Sequence, residues 1–238
     1  MLEERDYWPR PVLAEVEKAL PGAIERYESG KPKMIIPQKL RAQEGRVLCL
    51  YGDAGWGLEV ARGKYQAGTF SEALVKAAAD LIVGKWKPEP APQWVTVIPS
   101  QRHPQLAQDF AQRLAAKLTL PFIPALRQRN TAKPQKEMQN SAMQLRNVLD
   151  AFQIAATISL PQDAAASASR APGLLQRWVG QLAATFGSGP SLPPVPVLLV
   201  DDVVDSRWTL TVASVILRQH GSGPVYPFAL AKASLRGS

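Results

Sequence analysis

The stretch Val197-Leu-Leu-Val-Asp-Asp-Val-Val-Asp-Ser-Arg-Trp-Thr-Leu-Thr211 leaves the chain few choices of fold. Its first four residues, Val197 to Val200, read as a short buried strand, because parallel strands covered on both faces carry unbroken apolar runs. Asp201 and Asp202 stand where that strand is expected to end. Ser206, Thr209 and Thr211 then bring hydroxyls into a short turn before an apolar-periodic helix, Leu210 to His220. Gly221 sits just past it, as a helix C-terminus prefers. Backbone N–H groups at the start of a helix hold phosphate, and the helix dipole favours its charge. Paired carboxylates accept hydrogen bonds from vicinal ribose hydroxyls or hold a Mg²⁺. Together these features suggest a site for a phosphorylated sugar.

The residues from Trp94 onward support a parallel sheet. Trp94-Val-Thr-Val-Ile-Pro99 reads as a strand ended by proline, and Ser100-Gln-Arg-His103 as a polar turn. Pro104 suits the first position of a helix ending near Leu118, and Phe122 to Leu126 reads as the next strand. Strand, helix, strand makes a βαβ unit with a right-handed crossover. Ligands of such sheets bind beyond the carboxyl ends of the strands, so Ser100–His103, the region after Leu126 and Asp201–Thr209 are expected on one rim. Val225 to Leu230 gives a last strand.

The first 93 residues read as a small helical domain. Val12 to Leu20 and Ala23 to Tyr27 are short helical pieces split by Pro21-Gly22, and Gln38 to Tyr51 and Ser71 to Trp86 are longer ones. Ser71 is the expected N-cap of the last. Between them lie Tyr51-Gly-Asp-Ala-Gly-Trp-Gly57 and Arg62-Gly-Lys-Tyr65. The G-x-G-x-x-G spacing of a phosphate loop is missing there, and no strand is expected before it, so tight turns with aromatic packing explain the glycines better. Basic residues beside Trp56 and Tyr65 would also suit single-stranded DNA, whose bases stack on aromatics. Lys87 to Gln93, with three prolines, reads as a linker to a second domain, 94–238. Within that domain, 161–194 reads as a flexible insertion: low-complexity stretches at 161–170 and 187–194 flank a short helix, Gly173 to Phe186, with Leu174, Leu175, Trp178 and Leu182 on one face.

Charge separates the two parts. The chain carries 28 basic and 20 acidic side chains, a net +8. Residues 1–94 hold 14 basic and 13 acidic groups, whereas 95–238 hold 14 and 7, and three of those seven acids are Asp201, Asp202 and Asp205. One acidic island in a cationic surround suits a polyphosphate carried on a hydroxyl-bearing sugar. The single Cys49 excludes an internal disulfide and a cysteine-based zinc site, which fits a reducing cytoplasm. No apolar run has the length of a signal or a membrane span, so no membrane partner is expected.

The motif VLLVDDVVDSRWTLT resembles the ribose-phosphate-binding signature of type I phosphoribosyltransferases. With Asp205 opening its loop, it is most similar to the purine-salvage members. Arg207 stands where that family usually has Gly, which permits φ > 0 and close approach to a phosphate. The order VIPSQR, a helix, RQRNTAKPQK, QLRNV..AF and VLLVDDVV over residues 94–230 resembles the ComF-like branch, without its Cys-rich zinc module. GRVLCLYGDAGWG, GKYQAGTF and GPVYPFALA look like the carboxy-terminal extension of some RecQ-type DNA helicases, whose motor this chain lacks. The resemblance implies a phosphoribosyltransferase-type, Rossmann-like domain that binds phosphoribosyl pyrophosphate with Mg²⁺. It implies Asp201 and Asp202 on the ribose hydroxyls and the metal, and Ser206, Arg207 and Thr209 on the 5′-phosphate. Ser100 and Arg102, with Arg127, Arg129, Lys133 and Lys136 of a mobile hood, would face pyrophosphate, and Asp205 would orient or deprotonate an incoming nitrogen. His103 reads as a turn residue.

Other readings compete. An apolar strand ending in Asp-Asp also occurs as a Walker B motif, but no G-x-x-x-x-G-K-[ST] exists here. It also resembles the first strand of response-regulator receivers, which opens a much longer domain than the residues that follow here. A plain buried strand with solvated acids is the remaining structural explanation. Against transfer chemistry stands a non-catalytic ligand-sensing or DNA-binding module attached to a helicase motor, because fold alone does not imply function.

Overall fold

The computed structural model describes residues 5–100, 102–129, 141–155, 173 and 192–233. Four strands run parallel in one sheet: β1 (Arg46–Leu50), β2 (Trp94–Val97), β5 (Val197–Val204) and β6 (Val225–Lys232), in the order β1-β6-β5-β2. A second, antiparallel pair joins β3 (Leu126–Gln128) to β4 (Phe152–Ile154). The helices are α1 (Leu13–Ala19), α2 (Trp56–Arg62), α3 (Glu72–Asp80), α4 (Pro104–Leu118), α5 (Ser141–Leu149) and α6 (Trp208–Gln219). The fold is therefore mixed α/β, built on a parallel sheet.

Strand β5 shows why the sheet needs helices on both faces. Val197 and Leu199 belong to one core cluster, with residues of α1, α5 and α6, while Leu198 and Val200 belong to another, with α2, α3 and α4. A continuous apolar run thus feeds two cores by simple alternation. The alternation slips by one residue across the acids, because Val203 packs against the second cluster and Val204 belongs to the first. Pairing with β6 nevertheless keeps one register throughout, from Val197↔Val225 to Val204↔Lys232, so no residue is inserted into the ladder there. Helix α6 is buried almost all round, from Leu210 to Leu217, as a helix at the centre of a fold must be. Helix α4 buries only a stripe, Leu106, Ala107, Phe110, Ala111, Leu114 and Ala115, at i, i+3, i+4 spacing. Pro104 opens it and Thr119, in the left-handed region, closes it.

Several expectations need correction. Gln38 to Tyr51 is not a helix: a 3-10 turn at Gln38–Leu40 leads into β1, which pairs with β6 from Arg46↔Phe228 to Leu50↔Lys232. Local propensity in RVLCL is weak, and pairing with a strand some 180 residues away decides it. Segment 1–93 therefore holds three helices and also an edge strand of the main sheet. Ala23 to Tyr27 is likewise not helical; Arg26 bridges Pro32 across a turn closed by Gly30 at φ 77°. Phe122 makes only an isolated parallel bridge to Val95 before the chain turns away into β3. Strand β5 runs to Val204 rather than ending at Val200, so both acids lie inside it. Ser71 caps α3 as expected, its side chain accepting from the Leu74 N–H. Most of the 161–194 insertion lies outside the described residues.

Candidate functional site

The carboxyl ends of β5 and its neighbours form the rim where the sequence places its chemistry. Asp201 pairs with Ala229 of β6, and both it and Asp202 are only 8% exposed. Burying two adjacent carboxylates is costly unless each is satisfied. The strand supplies part of the answer: Asp201 Oδ1 accepts from the Asp202 N–H at 2.8 Å, and Asp202 Oδ1 from the Val203 N–H at 2.6 Å. Lys64 supplies the rest, its Nζ lying 2.7 Å from Asp202 Oδ2. Burial, and next the negative Asp202 beside it, push the Asp201 carboxyl well above its ordinary range, against the smaller opposing pull of the Asp202 N–H and Lys64.

Lys64 comes from a π turn, Gly63–Ala67, that extends α2. Tyr51, just past the end of β1, hydrogen-bonds with Tyr65 and lies within electrostatic reach of Asp202. A strand does precede the glycine loop 51–57, contrary to expectation. Yet a Cβ on Gly57 would run into the Leu50 carbonyl, so close packing of α2 on β1 explains that glycine, as the sequence suggested. The sequence carried a signal for Lys64 only in the Arg62-Gly-Lys-Tyr65 stretch, and nothing in it pointed to Asp202 as its partner.

Beyond the acids, Asp205 is exposed, while Ser206, Arg207 and Thr209 are half-buried. Arg207 has φ 67° and ψ −10°, the left-handed conformation that glycine adopts freely. It sits at the N-cap of α6, so the chain reverses there and the helix begins at once. Thr211 is committed to that turn: its N–H and hydroxyl both donate to the Arg207 carbonyl, at 3.0 and 3.1 Å. The N-terminal segment braces the loop from outside. Arg5 donates two hydrogen bonds to the Ser206 carbonyl, at 3.1 and 3.0 Å, and lies 4.2 Å over the Trp208 ring. Trp8 stacks on Trp208 with ring centroids 5.9 Å apart. Nothing in the sequence alone marks Arg5 or Trp8 as part of this loop.

An arginine held in the left-handed region stores about 1 kcal/mol or more of backbone strain. Arg207→Gly should therefore raise the unfolding free energy of the unliganded protein by about 1 kcal/mol, measured by urea denaturation. A loss of stability would show that the arginine side chain, rather than the backbone turn, holds the loop.

The parallel register brings β2 to the same rim: Val97 pairs with Val200, and the Ile98 N–H donates to the Val200 carbonyl. Ser100 and Arg102 follow at once, Arg102 exposed, with the Ser100 hydroxyl accepting from the His103 N–H at 3.2 Å. Arg127 and Arg129 are engaged elsewhere, on the β3–β4 pair. Arg127 reaches Gln153 at 2.7 and 2.8 Å, and Arg129 lies 3.6 Å from Asp150, in a groove shared with Glu15, Lys18 and Arg146. Lys133 and Lys136 lie outside the described residues.

The acids fit a directly bound Mg²⁺ poorly. Both oxygens of Asp202 already have partners, and no third His, Cys, Asp or Glu joins the pair among the described residues. A divalent ion on Asp202 Oδ2 would compete with the Lys64 ammonium for that oxygen. Among the described residues no helix is long and apolar enough to cross a membrane.

No protein-family model matches the chain, and no curated protein matches it. Among solved structures it is similar to orotate phosphoribosyltransferase from Aeropyrum pernix, at 16% identity and a TM-score of 0.32, over 92% of this chain and 81% of that one.

Proposed function

We propose that this chain is a phosphoribosyltransferase-type domain that binds phosphoribosyl pyrophosphate, or a related phosphorylated ribose, at the carboxyl end of β5. The observation that carries this reading is the backbone at Arg207, which keeps a glycine-like turn between a buried acid pair and the start of a twelve-residue helix. In that geometry Ser206, Thr209 and the first N–H groups of α6 hold the 5′-phosphate, helped by the helix dipole. Asp202 accepts from a ribose hydroxyl, and Asp201 offers its carboxyl to the other. Ser100 and Arg102, on the adjacent strand end, face the pyrophosphate.

Transfer from such a ligand needs little proton chemistry at the sugar. Pyrophosphate leaves C1, positive charge develops on the ring, and a nitrogen nucleophile enters from the other face. Positioning and charge neutralisation are then the protein's contribution. Asp205, exposed at the loop's start, orients that nitrogen. The finer likenesses, to the ComF-like branch and to a helicase extension acting on DNA in repair, rest on the sequence motifs alone. So do the hood roles of Arg127, Arg129, Lys133 and Lys136 and the part assigned to Mg²⁺.

A ligand that binds only the folded state stabilises it by mass action. Phosphoribosyl pyrophosphate at about a hundred times its dissociation constant should add roughly 2.7 kcal/mol, read as a higher thermal midpoint. Inorganic phosphate at the same concentration should add far less. A midpoint unmoved by millimolar ligand would reject the site. Release of pyrophosphate in the presence of a nitrogen nucleophile separates a transferase from a ligand sensor.

A further inference from the structure

We propose that Lys64 is the resident cation of the acid pair, so that the phosphorylated ligand is held without a divalent metal on Asp201 and Asp202. This rests on the reading of the site as a phosphorylated-ribose site. Its own support is separate and geometric. The Lys64 Nζ lies 2.7 Å from Asp202 Oδ2, with side chains only 19% and 11% exposed, so the ion pair is not a passing surface contact. The other Asp202 oxygen accepts a backbone N–H, which fixes the carboxylate in the orientation that meets the lysine.

The turn that carries Lys64 is itself built in. A Cβ on Gly63 would lie 2.6 Å from Phe70 Cδ1 and 2.9 Å from the Thr69 carbonyl oxygen. Phe70 is buried in the core, so the turn packs where no side chain fits. The turn is a π turn, a departure from α geometry that often marks functional positions. On its flank Tyr65 hydrogen-bonds with Tyr51, at the end of β1. Lys64 thus enters the rim from a fixed frame, and not from a long flexible loop.

A lysine ammonium does part of what a metal does at such a place. It offsets carboxylate charge next to an incoming polyanion, and it offers donors to ligand oxygens. It cannot bridge several oxygens at fixed octahedral angles as Mg²⁺ does. The ligand class that follows is a phosphorylated ribose whose hydroxyls meet an acid–lysine pair directly, with any Mg²⁺ confined to its pyrophosphate.

Two titrations test this, each on the wild type and on Lys64→Met, which keeps the apolar stem and removes the charge. In the first, phosphoribosyl pyrophosphate is titrated in EDTA and again in excess Mg²⁺. The wild type should bind with affinities within about threefold in the two conditions, while Lys64→Met should lose about tenfold or more in EDTA. Wild-type binding that appears only with Mg²⁺ overturns the role of Lys64 and leaves the ribose site standing. In the second, Mn²⁺ alone is titrated and followed by water-proton relaxation. The wild type should show no site at the acids, Lys64→Met should gain one, and adding Asp202→Asn should remove it. That gain cannot come from a misfolded variant. Mn²⁺ bound by the wild type and lost in Asp202→Asn overturns the proposal. If the sugar ligand binds in neither condition, the ribose reading fails, and the Mn²⁺ result alone decides whether Lys64 closes the acid pair to metal.

Discussion

Trp208→Ala should lower the unfolding free energy by about 3–5 kcal/mol, the range for removing a large aromatic from a packed core. Trp208 is fully buried at the first turn of α6, stacks on Trp8, carries Arg5 over its face and donates from Nε1 to the Ser141 hydroxyl at 2.9 Å. One side chain thus ties the N-terminal segment and α5 to the candidate phosphate loop. Truncation leaves a cavity and frees Trp8 and Arg5 together, so the loss exceeds that of a single methylene series. Trp208→Phe, which keeps an aromatic but not the N–H, should lose less. Urea denaturation of the three proteins measures the order. A loss under about 1 kcal/mol for the alanine variant would mean that the ring is not packed as described.

The second large effect is a dependence on pH. Because Asp201 is held well above its ordinary value of 3.8, the folded protein keeps a proton there that the unfolded chain has released. Between 3.8 and the raised value, the unfolded state binds fewer protons, so stability falls as pH rises, by up to about 1.4 kcal/mol per pH unit. Below that window the raised value costs nothing. Above it the full loss is present, the pull of the Asp202 N–H and Lys64 having already limited how far the value is raised. Asp201→Asn keeps an oxygen for the Asp202 N–H and cannot ionise. It should remove this slope and be more stable than the wild type above the window. Urea midpoints of both proteins across the acid-to-neutral range give the comparison, and parallel curves would show that Asp201 ionises freely in the fold.

What the sequence made legible was local. Val197–Val200, the hydroxyl turn and Gly221 marked β5 and α6 because burial, turn chemistry and the helix stop all agree within 25 residues. Pro104 and a regular apolar stripe did the same for α4. The acid pair stood out as a candidate site because two carboxylates in an apolar run need a reason. Hidden were the features whose cause lies far along the chain. RVLCL becomes a strand only through β6, Lys64 acquires meaning only beside Asp202, and Arg5 only beside Ser206. Arg207 is the instructive case between these. That arginine stands where the resembled signature has glycine was visible in the sequence, but only the backbone shows Arg207 in the left-handed conformation that glycine adopts freely.

The central claim is that the buried acids and the loop after them bind a phosphorylated ribose. Calorimetric titration of phosphoribosyl pyrophosphate into the wild type and into Asp201→Asn/Asp202→Asn tests it most directly, with urea curves to confirm that both are folded. The account predicts saturable one-to-one binding by the wild type and its loss, by about a hundredfold or more, in the folded double variant. Equal affinity in the two proteins, or no binding by the wild type at millimolar ligand, would contradict it.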